Sequence, residues 1–242
     1  MHPEEEPDAD WVAALAGCGL PRARRALVEA ARETRLYGHL AREHQREGRE
    51  SYIEIDAPLE LYAIVRLVRP RQVIEVGVSS GVSSAYLLQA LERNRRGTLH
   101  SVDRPKRPPK HPSSAHRPAR ASWSLPPGRE SGWAVPERLR PRWDLRIGDK
   151  RDVLPLLGQD LERIDLLVYD VPHWDRETRQ EFLALDRRFP KGAVALADHG
   201  PGWELCSALA AWADRRGSVP VGRKGLGLYG VRLGPRRGTG AK

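Results

Sequence analysis

Four acids close short apolar runs, Asp103, Asp149, Asp170 and Asp198, and a fifth, Glu75, lies inside such a run two residues ahead of a glycine turn. His173 and His199 follow closely behind Asp170 and Asp198. Carboxylates at strand ends accept hydrogen bonds from hydroxyls, gather cations and move protons. Asp170 and Asp198 end runs expected to be neighbouring strands, so their carboxylates converge. That costs on the order of several kcal/mol unless a proton, a cation or a positive side chain lies between them. A Mg²⁺ or Ca²⁺ ion, or another divalent metal, resolves the conflict. As plain helix caps the same acids need no ion, with His173 and His199 bonded to backbone.

The turn beside Glu75 narrows the ligand. Residues 73–88 read Val-Ile-Glu-Val-Gly-Val-Ser-Ser-Gly-Val-Ser-Ser-Ala-Tyr-Leu-Leu. The β-branched run suits a central strand covered on both faces. Gly77 and Gly81 let the backbone bend sharply and leave room above it, and Ser83 and Ser84 stand where a helix opens, with free amides and hydroxyls facing that room. A phosphate loop needs Gly-Lys-Ser or Gly-Lys-Thr, and a dinucleotide fingerprint needs Gly-x-Gly-x-x-Gly; this turn has Gly-x-x-x-Gly and no lysine. The Glu75 carboxylate would repel a pyrophosphate and pair with an ammonium group. The competing reading is an ordinary tight strand-to-helix connection.

The elements that must position these residues alternate along the chain. Asp10 is expected to cap a short helix holding Trp11, Val12, Leu15 and Ala16. Pro21 opens a second, with Leu27, Val28 and Ala31 on one face, before the charged stretch from Arg35 to Glu50. Asp56 and Pro58 start a helix in which Leu61, Ile64, Val65 and Val68 recur at helical spacing until Pro70. Strands are expected at 72–78, 98–102, 144–147, 164–169 and 193–197, with helices between them, and 219–221 with 226–233 suits an edge hairpin. This order implies an α/β fold, a doubly wound, seven-stranded, mostly parallel sheet with an N-terminal helical extension. Residues 1–54 form that extension, a helical cap or a homodimer element. Residues 55–233 are the main domain, and 234–242 a flexible tail. A Pro-rich insertion at about 104–130 breaks the pattern: Arg104 to Arg129 holds seven prolines, seven Lys or Arg and no acid. It is a basic flap over the site or a mobile surface loop.

In open sheets of this kind ligands bind beyond the carboxyl ends of the strands, and an acid closing the second strand accepts from both ribose hydroxyls of an adenosine. Taken together, Glu75, Gly77, Gly81 and Asp103 resemble the motifs of the class I S-adenosylmethionine-dependent methyltransferases, a Rossmann-like family. Their cofactor carries an amino-acid head and a sulfonium and no phosphate. The resemblance covers about Ile55 to Leu233. It implies cofactor contacts from Glu75, Gly77, Ser79, Gly81, Ser83, Asp103, Asp149 and Asp170, with Asp149 or its backbone beside the adenine amine; a helix cap also explains Asp149.

Asp170, His173 and the Ala-Asp-His-Gly-Pro-Gly run at 197–202 look like the metal-dependent catechol O-methyltransferase group and its bacterial relatives. There an Asp after the fourth strand and an Asp-Asn or Asp-Asp pair after the fifth hold a divalent ion that binds the substrate's hydroxyls. Asp170 and Asp198 match those positions, whereas His199 replaces the Asn or Asp. Imidazole in that set favours Mn²⁺, Fe²⁺ or Zn²⁺ over Mg²⁺. His173 takes the place of that group's base lysine, a role a histidine fills near neutral pH. The resemblance therefore implies O-methylation of a small-molecule hydroxyl by in-line displacement, with Asp170 and His173 catalytic.

The chain has 242 residues and 27.2 kDa, enough for one domain with extensions. Its two cysteines, Cys18 and Cys206, lack metal-type spacing, and the acidic N-terminus has no apolar core; both point to a reducing, cytosolic setting without a membrane span. Lys and Arg number 41 against 32 acids, giving +9. That surplus keeps an RNA methyltransferase using the basic insertion in view, although Asp-Val-Pro-His stands where an Asn-Pro-Pro-Tyr-like motif would be. A non-catalytic module that retains the fold is a further alternative, and the turn pattern disfavours a nicotinamide oxidoreductase.

Overall fold

The computed structural model describes residues 6–48, 57–104, 125–171, 175–198, 207–223 and 225–236. Short aliphatic runs pair into one sheet from β1 (Gln72–Val76), β2 (Thr98–Asp103), β3 (Trp143–Ile147), β4 (Leu166–Tyr169), β5 (Val194–Asp198), β6 (Val221–Gly222) and β7 (Leu228–Arg232). The order is β3-β2-β1-β4-β5-β7-β6. β7 is antiparallel to β5 and β6, and the other pairings are parallel. From β1 the chain steps outward to β3, then crosses back to β4, so β1 and β4 flank the switch point where such sheets bind ligands.

The two-residue period of the strands sorts side chains into two layers. Val73, Leu99, Leu166, Val168 and Leu196 face α1 (Ala9–Ala16), α2 (Leu20–Ala31), α3 (Thr34–Arg46), α4 (Pro58–Val68) and α5 (Val82–Asn94). Ile74, Val76, Val102, Leu167 and Tyr169 face α6 (Lys150–Asp160), α7 (Asp175–Leu185) and α8 (Ser207–Arg215). Helix α5 is buried almost all round, as a helix wedged between a sheet and an outer helical layer must be. Each fully buried leucine in that layer, such as Leu61 or Leu87, contributes about 1.5–3 kcal/mol.

The N-terminal helices belong to this core. The Trp11 Nε1 donates to the Val221 carbonyl at 3.0 Å, Leu15 fills the space beside Gly230, and buried Arg223 pairs with buried Glu60 at 3.0 Å. Helix α1 is capped by Asp8, whose side chain accepts from the Trp11 amide at 2.9 Å, and Asp10 lies inside the helix. In α2 the inward face is Ala23, Ala26, Leu27 and Ala30; Val28 is 51% exposed and Ala31 is also turned outward. Packing against α4, with Arg66 reaching Glu29 at 2.7 Å, selects that face over the expected one. The charged stretch after it is helical because Leu36, Leu40 and His44 give it a buried stripe. β1 stops at Val76, two residues early, because Gly77 turns to φ 94°. No helix among the described residues is long and apolar enough to cross a membrane.

Candidate active site

Backbone hydrogen bonds join the strand ends into one rim. Gly77 N donates to Val102 O at 2.9 Å, Asp170 N to Val76 O at 2.8 Å, and Gly148 N to Asp103 O at 2.9 Å. Between β1 and α5 the turn passes through Gly77 (φ 94°), Ser79 (φ 48°) and Gly81 (φ 92°). A Cβ at Gly77 would lie 2.0 Å from the Asp170 carbonyl oxygen, so glycine is required by the neighbouring strand end. At Gly81 the space expected for a ligand is filled by the chain itself: a Cβ there would meet Val135 at 2.5 Å and Gly132 Cα at 2.9 Å.

Those two residues belong to a strap, residues 131–135, that returns over the turn. Gly132 N donates to Ser79 O at 2.8 Å and Ala134 N to Ser80 O at 3.0 Å. Helix α3 backs the strap. Its His39 Nε2 reaches Ala134 O at 3.1 Å, its His44 ring lies 5.0 Å from that of Trp133, and Glu47 just beyond it pairs with Arg129 at 2.6 Å. The Leu40 carbonyl, 2.8 Å from His44 Nδ1, can only accept, so Nδ1 carries a proton, and Nε2 shares a hydrogen bond with the Ser80 hydroxyl at 3.0 Å.

Glu75 has no exposed surface. Its Oε1 accepts from the Ser83 hydroxyl, and its Oε2 from those of Ser84 and Ser101, each at 2.6 Å. Trp143 Nε1 donates to Ser101 Oγ at 2.8 Å and so aims the Ser101 proton at Glu75. Burial pushes the Glu75 carboxyl up from its ordinary value, and the charge of nearby Asp103 adds to this, while the three hydroxyls oppose it. The carboxylate expected to meet an ammonium group thus lies beneath the N-terminus of α5, where the helix dipole favours it, and holds the turn together.

Asp103 accepts from the Ser131 hydroxyl on Oδ2. Its Oδ1 takes no hydrogen bond among the described residues, and the residue is 9% exposed. Asp149 caps α6 through the Arg151 amide at 3.0 Å and pairs with Arg151 at 2.7 Å and Arg104 at 2.6 Å. The Arg151 guanidinium holds its carboxyl well below the usual carboxylate range. The helix cap left open by the sequence is therefore formed, and the carboxylate is fully engaged. Beside it Lys150 bonds the Tyr169 hydroxyl and Glu181, tying the β3 end to the β4 end. Tyr169 pairs with Ala197 across β4 and β5, which sets Asp170 and Asp198 side by side, about 5 Å apart at the backbone. His173 and His199 lie outside the described residues, as does most of the basic insertion. Among the described residues no group of three or more His, Cys, Asp or Glu is arranged to hold a metal ion.

A family described as a methyltransferase domain matches residues 74–199, just over half of the chain and every candidate residue from Glu75 to His199. The chain belongs to this methyltransferase family. No curated protein sequence matches it. Among solved structures, this methyltransferase is similar to the O-methyltransferase TomG from Streptomyces achromogenes, with 18% identity, 83% of this chain and 89% of that one covered, and a TM-score of 0.52. It is also similar to an O-methyltransferase from Bacillus cereus, with 16% identity, 81% and 90% covered and a TM-score of 0.52. A methyltransferase from Geobacter sulfurreducens gives 17%, 82% and 88%, and 0.51. At such identities the likeness concerns the fold, and that fold is the class I architecture expected from the strand order.

Of the serines that bond the two acids of this methyltransferase, sequence reasoning named Ser83 and Ser84 and missed Ser101 and Ser131. Ser101 was open to discovery, since it stands two positions before Asp103 on the same side of β2. Ser131 carried no signal, because only the folded strap brings it to Asp103.

Proposed function

We propose that this methyltransferase uses S-adenosylmethionine to methylate the hydroxyl oxygen of a small molecule. The observation that carries the reading is Asp103. It closes β2, 9% exposed, with its one side-chain hydrogen bond among the described residues on Oδ2, across from a turn, Gly77 to Gly81, with no cationic side chain to welcome a phosphate. TomG was solved in complex with S-adenosylmethionine and the Bacillus cereus enzyme with S-adenosylhomocysteine, which supports the same ligand class here.

When bound, the sulfonium supplies the methyl group. Asp103 would accept from the ribose hydroxyls, the backbone of Gly77 to Ser79 would border the amino-acid head, and the backbone beside Asp149 would border the adenine. Asp170 would orient the acceptor, and His173 would take its hydroxyl proton. Asp170 and Asp198 offer two carboxylates to a divalent ion, with His199 as the third candidate by sequence. One or two carboxylates are the usual protein share of a Mg²⁺ site, with water and substrate oxygens filling the remaining positions, so this pair fits a hard divalent ion.

Calorimetric titration with S-adenosylmethionine and S-adenosylhomocysteine tests the reading. Binding is expected for both, and Asp103→Ala should weaken it at least about 10-fold by removing charge-assisted hydrogen bonds. A protein that binds neither ligand overturns the proposal.

A second reading, a nucleic-acid acceptor, is favoured by one observation. Arg22, Arg24, Arg25, Arg32, Arg35 and Arg42 are exposed on α2 and α3 and join no ion pair among the described residues. The four glutamates of those helices are engaged elsewhere: Glu29 with Arg66, Glu33 with Arg93, Glu43 with Arg46 and Glu47 with Arg129.

A further inference from the structure

We infer that Ser131 is a positioning residue that makes the crevice select a ribose over a deoxyribose, by holding Asp103 through one oxygen so that the other is presented to the sugar diol. The inference rests on the cofactor reading above and assigns a role to a residue of the strap, outside the turn and the strand ends.

The terminal torsion of an aspartate is broad, with no sharp well to fix the plane of the carboxylate. A sugar diol needs that plane fixed, because each hydroxyl must meet a lone pair at about 2.7 Å and in line. Ser131 Oγ donates to Asp103 Oδ2, and Asp103 has no other side-chain partner among the described residues. Without Ser131 the plane is set only by neighbours, and Glu75 is the charged one, close enough for its titration to respond to Asp103. Like charge turns Asp103 away from Glu75 and out of register with a bound sugar.

Ser131 is itself placed with little freedom. The residue after it, Gly132, donates to Ser79 O at 2.8 Å and packs beneath the Trp143 ring, where a Cβ would lie 2.0 Å from the indole. Ala134 donates to Ser80 O at 3.0 Å. The strap that carries Ser131 is thus bolted to the same turn that faces the cofactor head. The hydroxyl, the acid and the turn move as one unit, the preorganisation that converts a flexible acceptor into a selective one.

The experiment compares S-adenosylhomocysteine with its 2′,3′-dideoxy analogue by calorimetry, on the full chain and on Ser131→Ala, Ser131→Cys and Ser131→Thr, each with its thermal unfolding recorded. The wild-type protein should prefer the ribose ligand by about 30-fold or more. Ser131→Ala and Ser131→Cys should lose about 5- to 10-fold in affinity for that ligand while binding the dideoxy analogue as before, and Ser131→Thr, which keeps the hydroxyl, should restore the preference. An equal loss for both ligands makes Ser131 a strut of the strap and overturns the inference, as does no loss at all. If Ser131→Ala fails to fold, the Cys and Thr pair decides between the same outcomes. A wild-type protein that binds neither ligand defeats the cofactor reading itself, a failure distinct from a uniform effect of the serine.

Discussion

Glu75 illustrates how a charge is kept where water does not reach. Three hydroxyls at 2.6 Å satisfy its oxygens, and the N-terminus of α5 adds a favourable dipole. Burial still raises its pKa above the ordinary 4.5. The sign follows: as pH climbs past 4.5 the unfolded chain gives up its proton first, so the ionised group costs stability increasingly until the folded pKa is passed. Glu75→Gln removes that cost and keeps the bonds, because a hydroxyl can turn to accept from the amide. In thermal unfolding the variant's Tm relative to the wild type should therefore rise as pH climbs above 4.5, levelling off once the folded pKa is passed. A difference that falls over this range would show that the serines outweigh burial.

The turn, the strap and α3 form a unit in which each part excludes alternatives for the next. Gly77 combines φ 94° with an approach of 2.0 Å to the Asp170 carbonyl, a backbone atom, and Gly132 comes as close to the Trp143 indole. Gly48, at φ 65° with nothing near its missing Cβ, has the backbone strain without the crowding. Gly77→Ala is expected to cost about 3 kcal/mol in urea unfolding, and Gly48→Ala about 1 kcal/mol. Similar costs at the two positions would mean that positive φ alone sets the penalty. Gly77→Ala should also weaken cofactor binding, since relief of the clash moves the β4 end that carries Asp170.

The molecule presents different chemistry on its two helical layers. One carries the exposed arginines of α2 and α3, while the glutamates of those helices are paired. With six exposed guanidiniums, a single strand would bind with a logarithmic salt slope near −4, about a 250-fold loss between 50 and 200 mM salt. Fluorescence anisotropy with a labelled uridine 20-mer measures this directly, and Arg24→Glu with Arg25→Glu should weaken binding about 10-fold while leaving S-adenosylhomocysteine affinity unchanged. Salt-independent binding, or none at about 50 mM salt, removes the nucleic-acid reading.

The alternation of strands and helices, the glycine turn and the acids at the strand ends were all legible in the chain, because each is written in residues a few positions apart. Buried β-branched runs declare central strands, and an acid after such a run lands at the carboxyl edge whatever the details of packing. What tertiary structure alone decided is who bonds to whom. Glu75 is held by Ser101, 26 positions away, through the register of β1 on β2, and Asp103 by Ser131, 28 positions away, through a strap with no periodic signal. The inward face of α2 was settled in the same way, by a helix it meets only after folding. Local sequence specifies conformation through sterics and hydrophobic period; hydrogen-bond partners across the chain exist only once the sheet has brought their strands together.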